Sequence, residues 1–276
     1  MPRLSNHQSN AFTKLLLTGD SGSGKSGALA SLVTAGYKLR ILDMDNGLDP
    51  LKTFVMKDAP ALVDNVEFRT LRDKRKTTAA GVVVDGKPSA WVDMMKMLDH
   101  WKYDDVDLGK PSDWGPDCIV IIDSLSFAAD AAFDWARGMN PTAKDPRQWF
   151  YGAQQQIESM LALLSSDGFR ANVIVTAHVR YSTGDDGRNK GYPNAIGSAL
   201  GPTIPRYFNH WAQCENKAGK RTIRTAATNM FDLKNSKPFE MKSDYDLSSG
   251  LADFFAVLRE PPVKQEKPKA LTLKRI

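Results

Sequence analysis

Cysteine is nearly absent. Cys118 and Cys214 are the only two in 276 residues, too few and too far apart for a disulfide framework, and both fall in apolar runs that read as strands. A reduced, cytoplasmic compartment is the expectation, the bacterial host cytoplasm if the chain is phage-encoded. No stretch approaches the roughly 20 apolar residues that a bilayer span requires, and the opening MPRLSNHQSNAF holds no apolar segment of signal-peptide length. The expected chain is soluble and has no membrane partner. Histidine is scarce as well, with four residues, and no Cys/His cluster has zinc spacing. A G-x-S-x-G elbow, a Ser/His/Asp pattern and internal repeats are all missing.

What is present suffices for a buried core: 42% of residues are apolar and 25% charged. That excludes collagen, a disulfide mini-protein and wholesale disorder. Lysine and arginine number 37 against 32 acids, a net charge of +5. Six of the basic residues and two acids lie within 259–276, so the rest of the chain carries 31 against 30. The surplus belongs to a Pro-rich tail that reads as flexible, and it holds Lys264, Lys267, Lys269, Lys274 and Arg275. The division expected is a polar lead at 1–12, one core over 13–258 and the tail at 259–276.

Apolar spacing predicts a strand at 14–18, a helix at 25–34, a strand ending near Asp45, a helix at 50–63 and a strand at 66–71. The basic cluster Arg72, Lys74, Arg75 and Lys76 reads as a solvated loop or a phosphate-backbone patch. Pro88 begins a helix that runs to Trp101, and 102–116 reads as an acidic loop. CIVIID at 118–123 is apolar throughout, as strands covered on both faces are. Helices follow at 126–137 and 147–165, a buried strand at 172–178, a Gly-rich polar stretch to 196, and strands at 206–214 and 221–228 joined by a turn. Strands alternating with helices predict an α/β fold with a mainly parallel central sheet flanked by helices, finishing in a C-terminal antiparallel hairpin.

Gly19, Asp20, Ser21, Gly22, Ser23, Gly24, Lys25 and Ser26 satisfy G-x-x-x-x-G-K-[ST], with a strand before them and, from Gly27 on, a helix after. Such glycines let backbone N–H groups turn inward around a polyphosphate, and the helix start adds its positive end. Lys25 reaches the β- and γ-phosphates in this reading, and the Ser26 hydroxyl binds Mg²⁺. Asp123, closing CIVIID, is the matching carboxylate for the metal. Ser124 beside it reads as a helix cap or as a chemical group.

The order of this P-loop, ILDMDNGLDP at 41–50, CIVIIDS at 118–124 and VIVTAHVR at 173–180 resembles the RecA/RadA recombinase core. In size and character the chain is most similar to phage-encoded, single-domain RecA-like ATPases of the single-strand annealing and recombination type. The resemblance covers about residues 13 to 240. It implies that Asp45, the second acid of Asp43-Met44-Asp45, orients and deprotonates the attacking water. The family normally has Glu there, one methylene longer, and misplacement by about 1 Å costs on the order of 10²-fold. His178 takes the place of a polar residue, commonly Gln, that feels the γ-phosphate and relays its presence to a DNA loop. A histidine there also brings sensitivity to pH near neutrality.

That DNA loop corresponds to 180–197. Arg180, Arg188 and Lys190 offer phosphate contacts and Tyr181 and Tyr192 offer stacking faces, with Asp185 and Asp186 diluting the charge. A smaller first DNA loop corresponds to Arg137–Arg147. Lys234 and Lys237 in DLKNSKPF match a Lys-rich segment that reaches into the neighbouring subunit's ATP site. The resemblance therefore implies a Mg²⁺- and ATP-dependent, DNA-stimulated hydrolase that binds single-stranded DNA and promotes annealing or strand exchange. It would act as a homo-oligomeric filament or ring with ATP between subunits. The tail would hold DNA or dock on a partner such as a single-strand-binding protein. The first strand starts near residue 14, which leaves no room for the N-terminal domain that larger recombinases use to polymerise. A helicase-like, loader or packaging ATPase acting with a protein partner, and a nucleotide-gated binding module with little hydrolysis, are the competing readings.

Overall fold

The computed structural model describes residues 11–79, 81–184 and 187–260. Most of the polar lead and of the basic tail, together with Asp185 and Asp186, lie outside the described residues.

β1 (Lys14–Gly19) runs through the glycine turn into α1 (Lys25–Ala28) and α2 (Ala30–Thr34), which meet at Leu29 without leaving the right-handed helical region. Next come β2 (Lys38–Asp43), α3 (Asp49–Asp58), β3 (Val66–Thr70), the hairpin of β4 (Arg75–Thr78) and β5 (Gly81–Val84), and α4 (Ala90–Asp99). A second hairpin, β6 (Trp101–Tyr103) with β7 (Val106–Gly109), leads to β8 (Gly115–Asp123), α5 (Leu125–Met139), α6 (Arg147–Ser165) and β9 (Ala171–Ala177). The chain ends with β10 (Val179–Thr183) and β11 (Asn189–Pro193), then β12 (His210–Lys217), β13 (Lys220–Arg224), β14 (Asp244–Asp246) and α7 (Gly250–Arg259).

Eight strands make one sheet in the order β14-β13-β12-β1-β9-β8-β2-β3. The pairings from β12 to β3 are parallel, and β13 and β14 add antiparallel at the edge. The strand that carries the glycine turn is separated from the strand that ends in Asp123 by β9. This is the mainly parallel, helix-flanked sheet of a RecA-like P-loop fold. Register brings Asp43 opposite Asp123 and Thr18 opposite Ala177, so the carboxyl ends of β1, β9, β8 and β2 line one rim.

Alternation along the buried strands divides the core. Leu15 and Leu17 of β1 and Ile119 and Ile121 of β8 pack with α2, α3 and α7, whereas Leu16, Val120 and Ile122 pack with α4, α5 and α6. Strands covered on both faces are mostly apolar, which is why the middles of β1, β8 and β9 read as continuous runs, with Lys14, Thr18, Asp123, Asn172 and Thr176 as buried polar exceptions. On the second face, small side chains of α5 such as Ala132 and Ala136 let α6 approach; a Cβ at Gly152 would stand 3.5 Å from that of Ala136.

Several expectations change. The segment read as an acidic loop at 102–116 holds a hairpin and a 3-10 turn, because Trp101 is fully buried against Trp114 with ring centroids 5.5 Å apart, and Trp114 Nε1 donates to the Leu108 carbonyl. Arg75 does not lie in a solvated loop: it opens β4 and pairs at 2.6 Å with the buried Asp134. The helix from residue 49 stops at Asp58, since Pro60 disfavours helical backbone just before it. Residues 201–207 form a 3-10 helix, so the next strand begins only at His210. Its partner strand ends at Arg224. The helix α7 was not anticipated. Its Leu251, Phe254, Phe255 and Leu258 are buried under the sheet. Phe255→Ala is expected to lower unfolding free energy by about 3–5 kcal/mol; an unchanged urea midpoint would show that α7 is not part of the cooperative core.

Candidate functional site

The turn after β1 depends on two glycines. Gly22 and Gly24 have φ of +74° and +100°, backbone that side chains with a Cβ rarely adopt, and a Cβ on Gly24 would stand 2.7 Å from Leu247. The Lys25 ammonium folds back to donate to the carbonyls of Gly19 at 3.0 Å and Asp20 at 3.1 Å. Burial pulls its pKa below the ordinary lysine range, and Asp123 and Asp45 oppose that shift. It is a cation held in the turn with no carboxylate hydrogen-bonded to it among the described residues.

The Ser26 hydroxyl donates to Asp123 Oδ2 at 2.7 Å, and Thr176 on β9 donates to Asp123 Oδ1. Asp123 is 1% exposed, and burial raises its pKa against the help of those two hydroxyls. A hydroxyl and a carboxylate side by side, both hard oxygen donors, suit Mg²⁺ with retained waters. Ser124 stands at the N-cap of α5, but its hydroxyl makes no capping bond and no other hydrogen bond among the described residues.

The two acids after β2 divide. Asp43 is spent on structure, with Oδ1 accepting from the Asn46 amide at 2.8 Å and Oδ2 from the Thr70 hydroxyl at 2.8 Å. Asp45 lines the cleft instead, and its Oδ1 has no hydrogen-bond partner. Burial first, and then the charges of Asp123 and Asp43, raise its carboxyl to about 6. The carboxylate lies against Gly47, where a Cβ would come within 2.7 Å of Oδ1. His178, directly after β9, donates its backbone N–H to Ser126 Oγ at 3.1 Å and sets its ring edge-on to Phe127. Burial, then Lys25, lower its pKa, so the ring is neutral at pH 7.

Lys25, Ser26, Asp45 and His178 share one cleft of about 590 Å³. The same cleft takes Pro50 and residues that no motif marks: Phe54 from α3, Arg221 from β13, and Leu247. Phe54 packs so closely on the helix start that a Cβ at Gly27 would lie 2.9 Å from its ring.

The stretch at 180–197, read as an open loop, is largely the hairpin β10–β11, and it is docked. The Tyr181 hydroxyl donates to the Asp20 carboxylate at 3.1 Å, Lys190 pairs with Asp232 at 2.6 Å, and Arg180 donates to the Gly197 carbonyl at 3.0 Å. Burial, then Asp20, push the Tyr181 hydroxyl up to about 12, so it stays a donor. Tyr192 faces Arg180 across the hairpin, and Arg188 immediately precedes β11. Arg137 and Arg147 stand at facing ends of α5 and α6, outside the cleft, paired with Asp134 and Asp145.

Lys234 bridges Trp211 through its backbone, and burial lowers its pKa. Lys237 is 9% exposed and donates its ammonium to the carbonyls of Val257, at 2.7 Å, and Glu260. The expected reach of Lys237 into a neighbouring site is therefore corrected: this lysine closes the carboxyl end of α7.

Residues 11–236 match a family model described as an AAA domain. No curated protein matches the chain. Among solved structures it is similar to the RadB recombinase, with 14% identity and a TM-score of 0.45 over 86% of this chain and 89% of that one. It is also similar to a prototypical ATPase from the type III secretion system of pathogenic bacteria, with 12% identity and a TM-score of 0.39, over 73% of this chain and 50% of that one.

Proposed function

The chain belongs to the AAA domain family, and from that premise we propose that it is a Mg²⁺-dependent ATPase, stimulated by single-stranded DNA, that promotes annealing or strand exchange as a homo-oligomer. The observation that carries this reading is the meeting of the Lys25 ammonium, the Ser26–Asp123 pair and the Asp45 carboxylate at one rim.

The turn amides and Lys25 bind the β- and γ-phosphates. Ser26 and Asp123 would hold the metal, which when bound would supply charge neutralisation at those phosphates. Asp45, ionised above about pH 6, takes a proton from water as the water oxygen bonds to the γ-phosphorus and the bond to the β-phosphate oxygen breaks, releasing ADP and phosphate. Neutral His178 offers one ring N–H to the γ-phosphate and is continuous in the chain with β10. Loss of that phosphate thereby reaches the hairpin. Phe54 and Leu247 are apolar walls of the same cleft against which the adenosine would pack. Assembly into a filament or ring rests on the resemblance, as do single-stranded DNA as partner and a role for the tail.

ATP turnover with and without a short single-stranded oligonucleotide, followed together with annealing and duplex unwinding, tests the whole reading. Stimulation with annealing supports it. Unwinding without annealing would favour a motor instead. Arg188→Ala with Lys190→Ala is expected to weaken oligonucleotide binding and to lower the slope of log affinity against log salt by about 1–2. An unaltered slope would remove the hairpin from the DNA interface.

A further inference from the structure

The cleft holds a second cation, and it comes from this chain. Arg221 lies on β13, and its Nε stands 3.4 Å from the Gly22 carbonyl, near the limit of a useful hydrogen bond. Its Cδ lies 3.1 Å from where a Gly24 Cβ would be, so the side chain is laid across the phosphate turn. Among the described residues no carboxylate comes within ion-pair distance of Arg221. Its strand neighbour Arg224, by contrast, pairs with Glu215 at 3.4 Å and Asp244 at 3.1 Å. The Arg221 guanidinium is exposed, lines the cleft together with Lys25, and makes no other hydrogen bond among the described residues. The backbone is pinned by the Leu247 amide, which donates to the Arg221 carbonyl at 3.3 Å.

We propose that Arg221 clamps the phosphates of the bound nucleotide in cis, on the flank of the turn away from the bond that breaks. This rests on the nucleotide reading above and adds to it a residue, a direction and a selectivity. The direction follows from the sheet order. Asp123 ends β8 and Asp45 follows β2, both on one side of β1, whereas β13 lies on the other side, beyond β12. A cation arriving from that flank faces phosphates that ADP and ATP share. Arg221 is therefore a binding residue with equal effect on di- and triphosphate. A planar fork of donors suits phosphate oxygens better than a point charge does, so lysine substitutes for it only in part. The clamp supplies from within one chain a cation of the kind that Lys237, held on α7, does not bring.

The test is equilibrium binding of ATP, ADP, inorganic tripolyphosphate and adenosine, with magnesium, to the full chain and to its Arg221→Gln and Arg221→Lys variants. The glutamine variant is expected to bind ATP, ADP and tripolyphosphate each about tenfold more weakly, with lysine recovering part of the loss and adenosine binding unchanged. Wild-type and Arg221→Gln affinities that coincide for ATP and ADP would overturn the clamp while leaving the nucleotide reading in place. A loss confined to ligands that carry adenosine, sparing tripolyphosphate, would also overturn it and make Arg221 a stacking surface for the base. A wild-type chain that binds none of the four would remove both.

Discussion

Lys25→Ala is expected to slow ATP turnover by at least about 10³-fold, in the range lost when a preorganised charge is taken from a phosphoryl-transfer site. The structure says why the effect should be so large. The ammonium is held by two backbone carbonyls of the turn that lines the same cleft, and burial already weakens its charged form. A bound triphosphate would let it exchange neutral acceptors for anionic ones at little cost in reorganisation. Arg221 can hold phosphates but arrives from the wrong flank to replace it at the γ-phosphate. The fold should persist, because Ala leaves only two carbonyls without their donor, that of the buried Gly19 and that of the exposed Asp20, while the backbone bonds of β1 are untouched. Melting of the variant within a few degrees of wild type, together with lost turnover, is the expected pair of results; turnover within threefold of wild type would sink the P-loop assignment.

How much of this could be read in the sequence depended on whether local pattern and burial coincide. β1, β8 and β9 stand where their apolar runs put them, since strands covered on both faces carry few polar positions to confuse the reading. α6 does so because one apolar stripe, Ala153, Ile157, Met160, Leu161 and Leu164, repeats at helical spacing. α7 carries a similar stripe, but the charged tail beside it hides the signal. The hairpin of β6 and β7 has no local signal, because its order comes from Trp101 meeting Trp114 across the twelve residues between them.

The same division holds in the cleft. Lys25 and Ser26 lie in one contiguous segment whose spacing dictates its own geometry, and Asp45 and Asp123 stand at or just past strand ends that register aligns. Arg221 reaches Gly22 from 199 residues further along, through an antiparallel edge whose pairing no motif records. Lys237 shows the converse error. Its sequence neighbourhood suggests a free cation, but whether a lysine is free depends on what lies opposite, and here that is the end of α7.

Asp45→Asn separates chemistry from stability in one variant. As general base, the carboxylate must be ionised, so the hydrolysis rate should fall as pH drops through about 6, where its carboxyl titrates. The asparagine variant should lose about 10²–10⁴-fold in turnover and lose that acid limb as well, with nucleotide affinity retained. Stability should move the other way. Asp45 titrates higher in the folded protein, about 6, than the 3.8 ordinary for an aspartate, so the folded state binds the proton more tightly. Stability therefore declines as pH rises from about 4 to about 6, and the whole penalty of a buried, like-charge carboxylate is present above that window. Removing the charge should raise the melting temperature at pH 8 and leave it nearly unchanged at pH 4. A variant that is less active because it is less stable would melt lower at both. The pH at which activity halves also measures what Asp in place of the longer Glu does here: burial and the nearby charges of Asp123 and Asp43 bring the base close to working pH, while Gly47 leaves its oxygen room to approach. Gly47→Ala, which crowds that oxygen without touching its charge, should cut turnover and leave the acid limb near pH 6; a rate equal to wild type would mean that Asp45 acts from a position this turn does not set.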